Sequence, residues 1–160
     1  MKTVSVLFYG IGGQGILTAA EILALAAVAD GYHVKKSEVK GMSQRGGSVE
    51  SYVRFGKPCV YSPLALDKDI DVIICLHASE YPRLKDELKP GGVDLFPYLK
   101  KAHAAIGNKR ILLNTYILGV LSSFLDITEK SWLEALNRKL KNGQEENKAI
   151  FLKGRTEGEI

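Results

Sequence analysis

Gly10-Ile11-Gly12-Gly13-Gln14-Gly15 is the stretch that decides the fold of this chain. The apolar run from Val4 to Tyr9 precedes it, and an Ala- and Leu-rich helical pattern starting near Ile16 follows it. A strand that turns through glycines into a helix leaves backbone N–H groups unpaired at the helix N-terminus, where the helix dipole also favours negative charge. The stretch therefore predicts a turn that binds a phosphate or carboxylate through Gly10, Gly12, Gly13, Gln14 and Gly15. The alternative is a tight strand–helix connection that binds nothing.

The segment after the first helix bears on which nucleotide such a turn would bind. An NAD site needs an acidic residue at the end of the second strand, where it binds a ribose hydroxyl. Asp30 lies in the turn before that strand, and the strand itself carries Lys35 and Lys36. The two lysines argue against NAD, and they suit a ligand with a phosphate on its ribose.

A second glycine-rich stretch, Gly41-Met42-Ser43-Gln44-Arg45-Gly46-Gly47-Ser48, follows the second predicted strand. Its small residues expose N–H groups, and its arginine offers a planar fork to carboxylate or phosphate. In a doubly wound sheet this loop starts at the same edge as the turn after the first strand. We therefore expect two anion-binding loops side by side at one edge of the sheet. The alternative is a flexible connection with a solvated arginine.

Apolar strands alternate with helical patterns along the rest of the chain. This alternation predicts an α/β fold, a Rossmann-like doubly wound and mostly parallel sheet with helices on both faces. Residues 70–76 read as a further buried parallel strand, and the period-two pattern of residues 49–55 indicates an antiparallel or edge strand. Residues 1–154 form one predicted domain and residues 155–160 a tail. The helix at 13–29 is apolar nearly all round, which suggests a second packing partner such as another subunit.

Composition narrows the function. The chain has 46% hydrophobic and 25% charged residues, and its formal net charge is +4. We expect no nucleic-acid binding, because the basic residues are dispersed without interleaved aromatic residues. No membrane-spanning run and no signal peptide are evident, so the sequence predicts a cytoplasmic protein. Cys59 and Cys75 are isolated, which favours reduced core thiols over a metal site.

The chain lacks an evident catalytic constellation. No nucleophile with a base and no P-loop lysine occurs at a convincing spacing, and Ser43 has no evident histidine partner. His77 could line a crevice at the end of a strand, although a structural role is the simpler interpretation. An anion-binding edge without reactive groups favours a subunit whose catalytic partners lie elsewhere. Two alternatives stay open: a stand-alone NADP-type oxidoreductase, and a non-catalytic binding or assembly module.

The two glycine-rich motifs together resemble one family. The glycine turn, and the segment from Lys36 to Val49, are similar to the gamma subunit of 2-oxoacid:ferredoxin oxidoreductases. Within that superfamily the chain resembles most the small, beta subunit of indolepyruvate ferredoxin oxidoreductase. Leu113-Asn114-Thr115-Tyr116-Ile117-Leu118-Gly119 also looks like the family, and the resemblance covers nearly the whole chain.

The resemblance implies one subunit of an enzyme that oxidatively decarboxylates a 2-oxoacid (indolepyruvate or pyruvate type), forms an acyl-CoA and reduces ferredoxin. It implies that the chain is not catalytic alone and binds no cofactor alone. Thiamine diphosphate and iron–sulfur clusters would lie in companion subunits, with coenzyme A as co-substrate on the side of this domain. The implied partners are companion subunits, ferredoxin, the 2-oxoacid and CoA, and the isolated chain could form a homo-oligomer. Carried onto this chain, the resemblance implies that Ser43, Gln44, Arg45, Gly46 and Gly47 border the active site and that Gly12 to Gly15 form its anion-facing turn. Lys35 and Lys36 would suit the ribose phosphate of CoA.

The chain departs from the family pattern after Gly92. Family members continue there with a strand and a further connection, whereas residues 93–97 lead almost directly into a helix. The sequence thus predicts a smaller sheet or an altered surface for companion subunits.

Overall fold

The computed structural model describes residues 3–11, 13–40, 47–63, 65 and 68–158. Five strands and six α-helices occur in these ranges. The strands are β1 (Val4–Ile11), β2 (His33–Lys40), β3 (Ser48–Gly56), β4 (Ile70–Cys75) and β5 (Leu88–Asp94). The helices are α1 (Ile16–Ala29), α2 (Tyr81–Glu87), α3 (Leu99–Ile106), α4 (Leu113–Ser122), α5 (Glu129–Lys139) and α6 (Gln144–Gly158).

The five strands form one mixed sheet in the order β2-β3-β1-β4-β5. The pairs β1–β4 and β4–β5 are parallel, whereas β3 runs antiparallel to both β1 and β2. Four strands therefore point the same way and β3 opposes them, which agrees with the predicted α/β class and mostly parallel sheet. The antiparallel interpretation of residues 49–55 is confirmed, but β3 is an inner strand and not an edge.

The larger core lies on one face of the sheet, under α1. Helix α1 is buried on the sheet side by contacts with β2 and β3, and α5 packs along its other side. Glu21 on α1 pairs with Lys139 on α5 at 2.9 Å, and Asp30 accepts hydrogen bonds from Thr128 and Ser131. The second partner predicted from the apolar surface of α1 is thus α5 of the same chain, and no other subunit is needed to explain that surface.

Helices α4 and α6 pack closely on the same face of the sheet through glycines. A Cβ at Gly119 would lie 2.1 Å from the Phe151 carbonyl oxygen, and one at Gly154 would lie 2.2 Å from that of Tyr116. Both distances are shorter than any real carbon–oxygen contact, so only glycine allows the helices to approach this closely. Helix α6 continues to Gly158, into the segment predicted as a tail, because this contact runs along its length.

The other face of the sheet carries a smaller core. Leu7, Tyr9 and Ile73 pack there with Leu84 of α2, so helices cover both faces, as predicted. The segment 89–92 belongs to β5, the edge strand next to β4. Among the described residues, no helix combines the length and apolar character needed to cross a membrane.

Candidate functional site

A cleft of about 990 Å³ lies at the carboxyl end of β1. The glycine turn forms one wall, and the connection between α3 and α4 forms the other. The lining residues are Ile11, Gly13, Gln14, Gly15, His103, Ile106, Gly107, Asn108, Arg110, Ile111, Leu113 and Asn114. The volume is within the range of small-molecule sites.

The glycine turn has the backbone conformation that its sequence predicts. Gly13 has φ +88° and Gly15 has φ +74°, in the left-handed region that glycine adopts without strain. Helix α1 starts directly after Gly15 with no side-chain cap and no acidic residue in its first turn. Its first N–H groups and its positive dipole end therefore lie beside the cleft, as an anion site requires.

The side chain of Gln14 stabilises the turn from within. Its Oε1 accepts a hydrogen bond from Ile11 N at 2.9 Å, and its Nε2 donates to Leu76 O at 3.1 Å. Gln14 thus ties the turn to the ends of β1 and β4. These contacts occupy the side chain that the sequence assigned to ligand binding, which leaves the backbone of Gln14 for that role. Gly10 precedes the turn, where a Cβ would meet the side chains of Ile16 and Gln14.

Asn114, in the first turn of α4, holds the glycine turn from the opposite wall. Its Nδ2 donates to Gln14 O at 2.7 Å and to Gly15 O at 3.1 Å. Its Oδ1 is buried and has no hydrogen-bond partner among the described residues. The sequence contains Asn114 within a family-like motif but gives no sign of this contact, since a hundred residues separate it from the turn.

The described ends of the second glycine-rich loop lie beside the end of β1. Gly12, Ser43, Gln44, Arg45 and Gly46 lie outside the described residues. The described ends of the loop are informative: β2 ends at Lys40 and β3 begins at Ser48, which lies opposite Ile11 in the β1–β3 register. Gly47 precedes Ser48 and is half-buried.

Lys35 and Lys36 lie towards the other end of the sheet. Lys35 pairs with Arg54, which in turn pairs with Ser5 near the start of β1. Ser5 precedes Ile11 by six residues, or roughly 20 Å of strand. Lys36 forms a salt bridge with Glu38 at 3.2 Å. The structure therefore does not bring these two lysines to the glycine turn.

The outer wall contains two basic side chains that sequence reasoning missed. Arg110 and His103 line the cleft and are exposed. Neither side chain has a hydrogen-bond or ion-pair partner within the part of the chain that the structure describes. None of the lining residues within the described ranges is acidic. The sequence signal for Arg110 and His103 was the basic segment around α3. We interpreted that segment as part of a dispersed set of charges.

A separate polar cluster follows β4. His77 Nδ1 accepts a hydrogen bond from Ser79 N at 3.3 Å and lies 2.9 Å from Ser79 Oγ, which is 3.1 Å from the Tyr9 hydroxyl. His77 rather than Ser79 therefore caps the short helical turn that follows. Burial raises the pKa of the neighbouring Cys75 thiol, whose Sγ donates to His77 O. Among the described residues, no group of three or more metal-ligating side chains could hold a metal ion.

Comparison with known proteins adds a family to this geometry. The family model described as pyruvate ferredoxin/flavodoxin oxidoreductase matches residues 5–157. Indolepyruvate oxidoreductase subunit IorB of Thermococcus kodakarensis is 47% identical over 93 residues, which are 58% of this chain and 46% of that subunit. The chain therefore matches less than half the length of IorB. The 2-oxoglutarate synthase subunit KorC of Methanocaldococcus jannaschii is 29% identical over 91% of this chain and 88% of its own.

Two solved structures share the fold. The gamma subunit of a keto/oxoacid ferredoxin oxidoreductase from Geobacter sulfurreducens superposes with a TM-score of 0.74 at 23% identity, over 99% of this chain and 97% of its own. The 2-oxoglutarate:ferredoxin oxidoreductase from Magnetococcus marinus, solved with 2-oxoglutarate, coenzyme A and succinyl-CoA bound, superposes with a TM-score of 0.80 at 22% identity. The match covers 99% of this chain and 30% of that larger chain.

Proposed function

Because this chain belongs to the pyruvate ferredoxin/flavodoxin oxidoreductase family, we propose that it is the gamma-type subunit of a 2-oxoacid:ferredoxin oxidoreductase. The complex decarboxylates a 2-oxoacid oxidatively, transfers the acyl group to CoA and passes the electrons to ferredoxin. This chain contributes the domain that borders the active site on the CoA side. It is not catalytic alone.

The cleft at the glycine turn is the observation that supports this role. CoA carries a diphosphate and a ribose phosphate, so its site must be electropositive and must admit backbone N–H groups. The cleft meets both needs, because an uncapped helix N-terminus faces it and none of its described lining residues is acidic. We assign the diphosphate to the glycine turn, Gly12 to Gly15, and we place the loop residues Ser43 to Gly47 alongside it because Ser48 lies opposite Ile11.

We assign thiamine diphosphate and the iron–sulfur clusters to companion subunits. A cubane cluster takes four cysteine thiolates, whereas this chain has two cysteines. Thiamine diphosphate supplies the stabilised carbanion for decarboxylation when it is bound. Since the 2-oxoacid reacts at that cofactor, the companion subunit selects the 2-oxoacid. Indolepyruvate is the first substrate to test, because IorB is the relative with 47% identity.

Co-purification tests the assignment to a complex. The tagged full-length chain, expressed in its native cell, is expected to bring down a brown complex that contains thiamine diphosphate and iron. That complex should reduce ferredoxin when indolepyruvate and CoA are added together. A colourless homo-oligomer without thiamine or iron would rule out the proposed function.

Arg45→Ala in the assembled complex tests the role of the loop. If Arg45 contacts CoA, the variant raises the KM for CoA by roughly 10- to 100-fold, the range of a lost charged hydrogen bond. The KM for the 2-oxoacid should stay the same. Arg138→Ala is the matched control, because Arg138 is an exposed arginine on α5 outside the cleft. Unchanged CoA-dependent turnover in Arg45→Ala would remove the loop from the site.

A further inference from the structure

In the proposed CoA site, the ribose phosphate of CoA still lacks a cationic partner. The sequence suggests that Lys35 and Lys36 bind the ribose phosphate of CoA. In the structure, however, these lysines lie about six residues of strand away from the glycine turn. A ligand that binds the turn with its diphosphate needs a cation on another wall of the same cleft. The site for the ribose phosphate must therefore lie among the residues that line the cleft.

Arg110 and His103 are the basic side chains that line the cleft. Arg110 stands at the start of the 3₁₀ turn that leads into α4, and His103 lies in the last turn of α3. The wall opposite the glycine turn thus carries the positive charge that the ligand requires.

Among the described residues, Arg83 and Arg155 are neutralised by carboxylates, whereas Arg110, like the exposed Arg138 on α5, is not. Arg83 contacts Glu50, Glu80 and Glu87, and Arg155 lies 3.7 Å from Glu129. Arg110 has no such partner among the described residues. Its nearest neighbour in sequence, Lys109, pairs with Glu146 outside the cleft lining.

Two helix N-termini add to the positive potential around Arg110. Both α1 and α4 begin at the cleft without a side-chain cap and without an acidic residue in the first turn. A cation beside a helix N-terminus is electrostatically unfavourable, because the partial charge there is already positive. A bound dianion relieves both repulsions, and its second charge suits an arginine fork that binds phosphate through two hydrogen bonds.

We propose that Arg110, supported by His103, binds the ribose phosphate of a 3′-phosphorylated nucleotide coenzyme whose diphosphate lies at the glycine turn. This inference rests on the proposed function, since it takes CoA as the occupant of the cleft. It makes Arg110 the residue that distinguishes CoA from 3′-dephospho-CoA, a ligand that lacks only this phosphate.

Calorimetric titration of the purified protein, with the companion chains that accompany it, tests the proposal. The wild type should bind CoA roughly 10- to 100-fold more tightly than 3′-dephospho-CoA, the range of a charged hydrogen-bonded contact. Arg110→Gln should remove this preference and leave the affinity for 3′-dephospho-CoA unchanged. Arg110→Lys keeps a point charge and should retain part of the preference. A circular dichroism spectrum of each variant checks that it folds.

Two matched variants separate Arg110 from other sources of charge. Arg138→Gln removes the same charge from exposed α5 and should keep the full preference. Lys36→Gln tests the interpretation made from sequence and should also keep it. Three results would overturn the inference without affecting the proposed CoA site. They are equal binding of both ligands by the wild type, a preference for CoA that survives in Arg110→Gln, and a preference that disappears in Lys36→Gln. Failure of the wild type to bind either ligand would overturn the proposed function as well.

Discussion

Ile11, the last residue of β1, lies directly opposite Ser48, the first residue of β3. This one register position places the exit of the first strand beside the end of the second glycine-rich loop. The hairpin of β2 and β3 brings the start of that loop to the same place, since Lys40, the last residue of β2, pairs with Val49 of β3. The described ends of the second loop therefore lie at the same edge of the sheet as the glycine turn.

Gly13 and Gly15 form a matched pair for testing how the turn is held. Both have positive φ, but a Cβ at Gly13 meets no atom within 4 Å, whereas one at Gly15 would lie 2.2 Å from Asn114 Nδ2. Gly13→Ala should cost only the left-handed penalty of about 1–2 kcal/mol in the free energy of unfolding. Gly15→Ala adds a steric clash and should cost about 1–3 kcal/mol more. Urea denaturation measures both values, and equal values for the two variants would show that Asn114 does not restrict the turn.

Asn114→Asp tests the contact between α4 and the glycine turn. A carboxylate cannot donate to Gln14 O and Gly15 O, and it places negative charge against two carbonyl oxygens. We expect a loss of about 2–4 kcal/mol in stability from two broken hydrogen bonds. Binding of CoA should weaken in parallel, because the turn loses its support. Asn142→Asp, in an exposed loop, is the control and should change stability by less than about 0.5 kcal/mol. Retention of wild-type stability and CoA affinity in Asn114→Asp would speak against the contact.

Gly154→Ala tests the close packing of α4 and α6. Helix propensity alone predicts that alanine stabilises a helix interior by about 1 kcal/mol relative to glycine. Here the added Cβ would lie 2.2 Å from Tyr116 O, so the helices must separate. We expect a net loss of about 1–3 kcal/mol, the usual cost of overpacking. Thermal unfolding measures the loss, and Lys153→Ala at the exposed neighbouring position should show little change. A rise in melting temperature for Gly154→Ala would contradict the packing.

Alkaline unfolding should report on Tyr81. Burial, with the hydrogen bond to Asp94, raises the pKa of Tyr81 from 10.0 to about 12. Between these two values the unfolded chain loses the tyrosine proton while the folded chain keeps it. The free energy of unfolding is therefore unaffected by this group below pH 10 and falls as the pH rises towards 12. Stability measured in urea at intervals across this window gives the slope.

Tyr81→Phe should make that slope shallower, because the group that titrates is gone. Tyr61→Phe is the control, since the Tyr61 side chain is 90% exposed, and it should leave the slope unchanged. The same slope in Tyr81→Phe and in the wild type would show that Tyr81 titrates alike in the folded and unfolded chains.

Much of the fold follows from local patterns. The apolar run before the glycines can only be a buried strand, and the long helical pattern after them requires a helix on one face of the sheet. The strand at 70–75 was equally clear, because a continuous apolar run of that length suits a strand covered on both faces. The bounds of β5 and α6 were less clear, since Gly91 and Gly154 look like helix breakers in sequence. Gly91 lies within β5 at φ +80°, and Gly154 lies within α6 against the backbone of Tyr116.

The two lysines of β2 show where a local rule misleads. The sequence distance from the glycine turn suggests that Lys35 and Lys36 lie where a dinucleotide site would hold a ribose. The strand runs to Lys40, however, so both lysines lie in its first half. Ligand sites in such sheets lie at the carboxyl ends of the strands, which is the opposite edge.

The sequence by itself determined the α/β class, and it led to the expectations that the glycine turn binds an anion and that the second loop lies beside it. These inferences depend on short-range periodicity and on the common direction of strands. Only the tertiary structure decided that Asn114 contacts the turn, that Arg110 lines the same cleft, that Gln14 turns its side chain inwards and that α5 covers α1. Such contacts join residues about a hundred positions apart, and their geometry depends on how the helices pack, which no local pattern encodes.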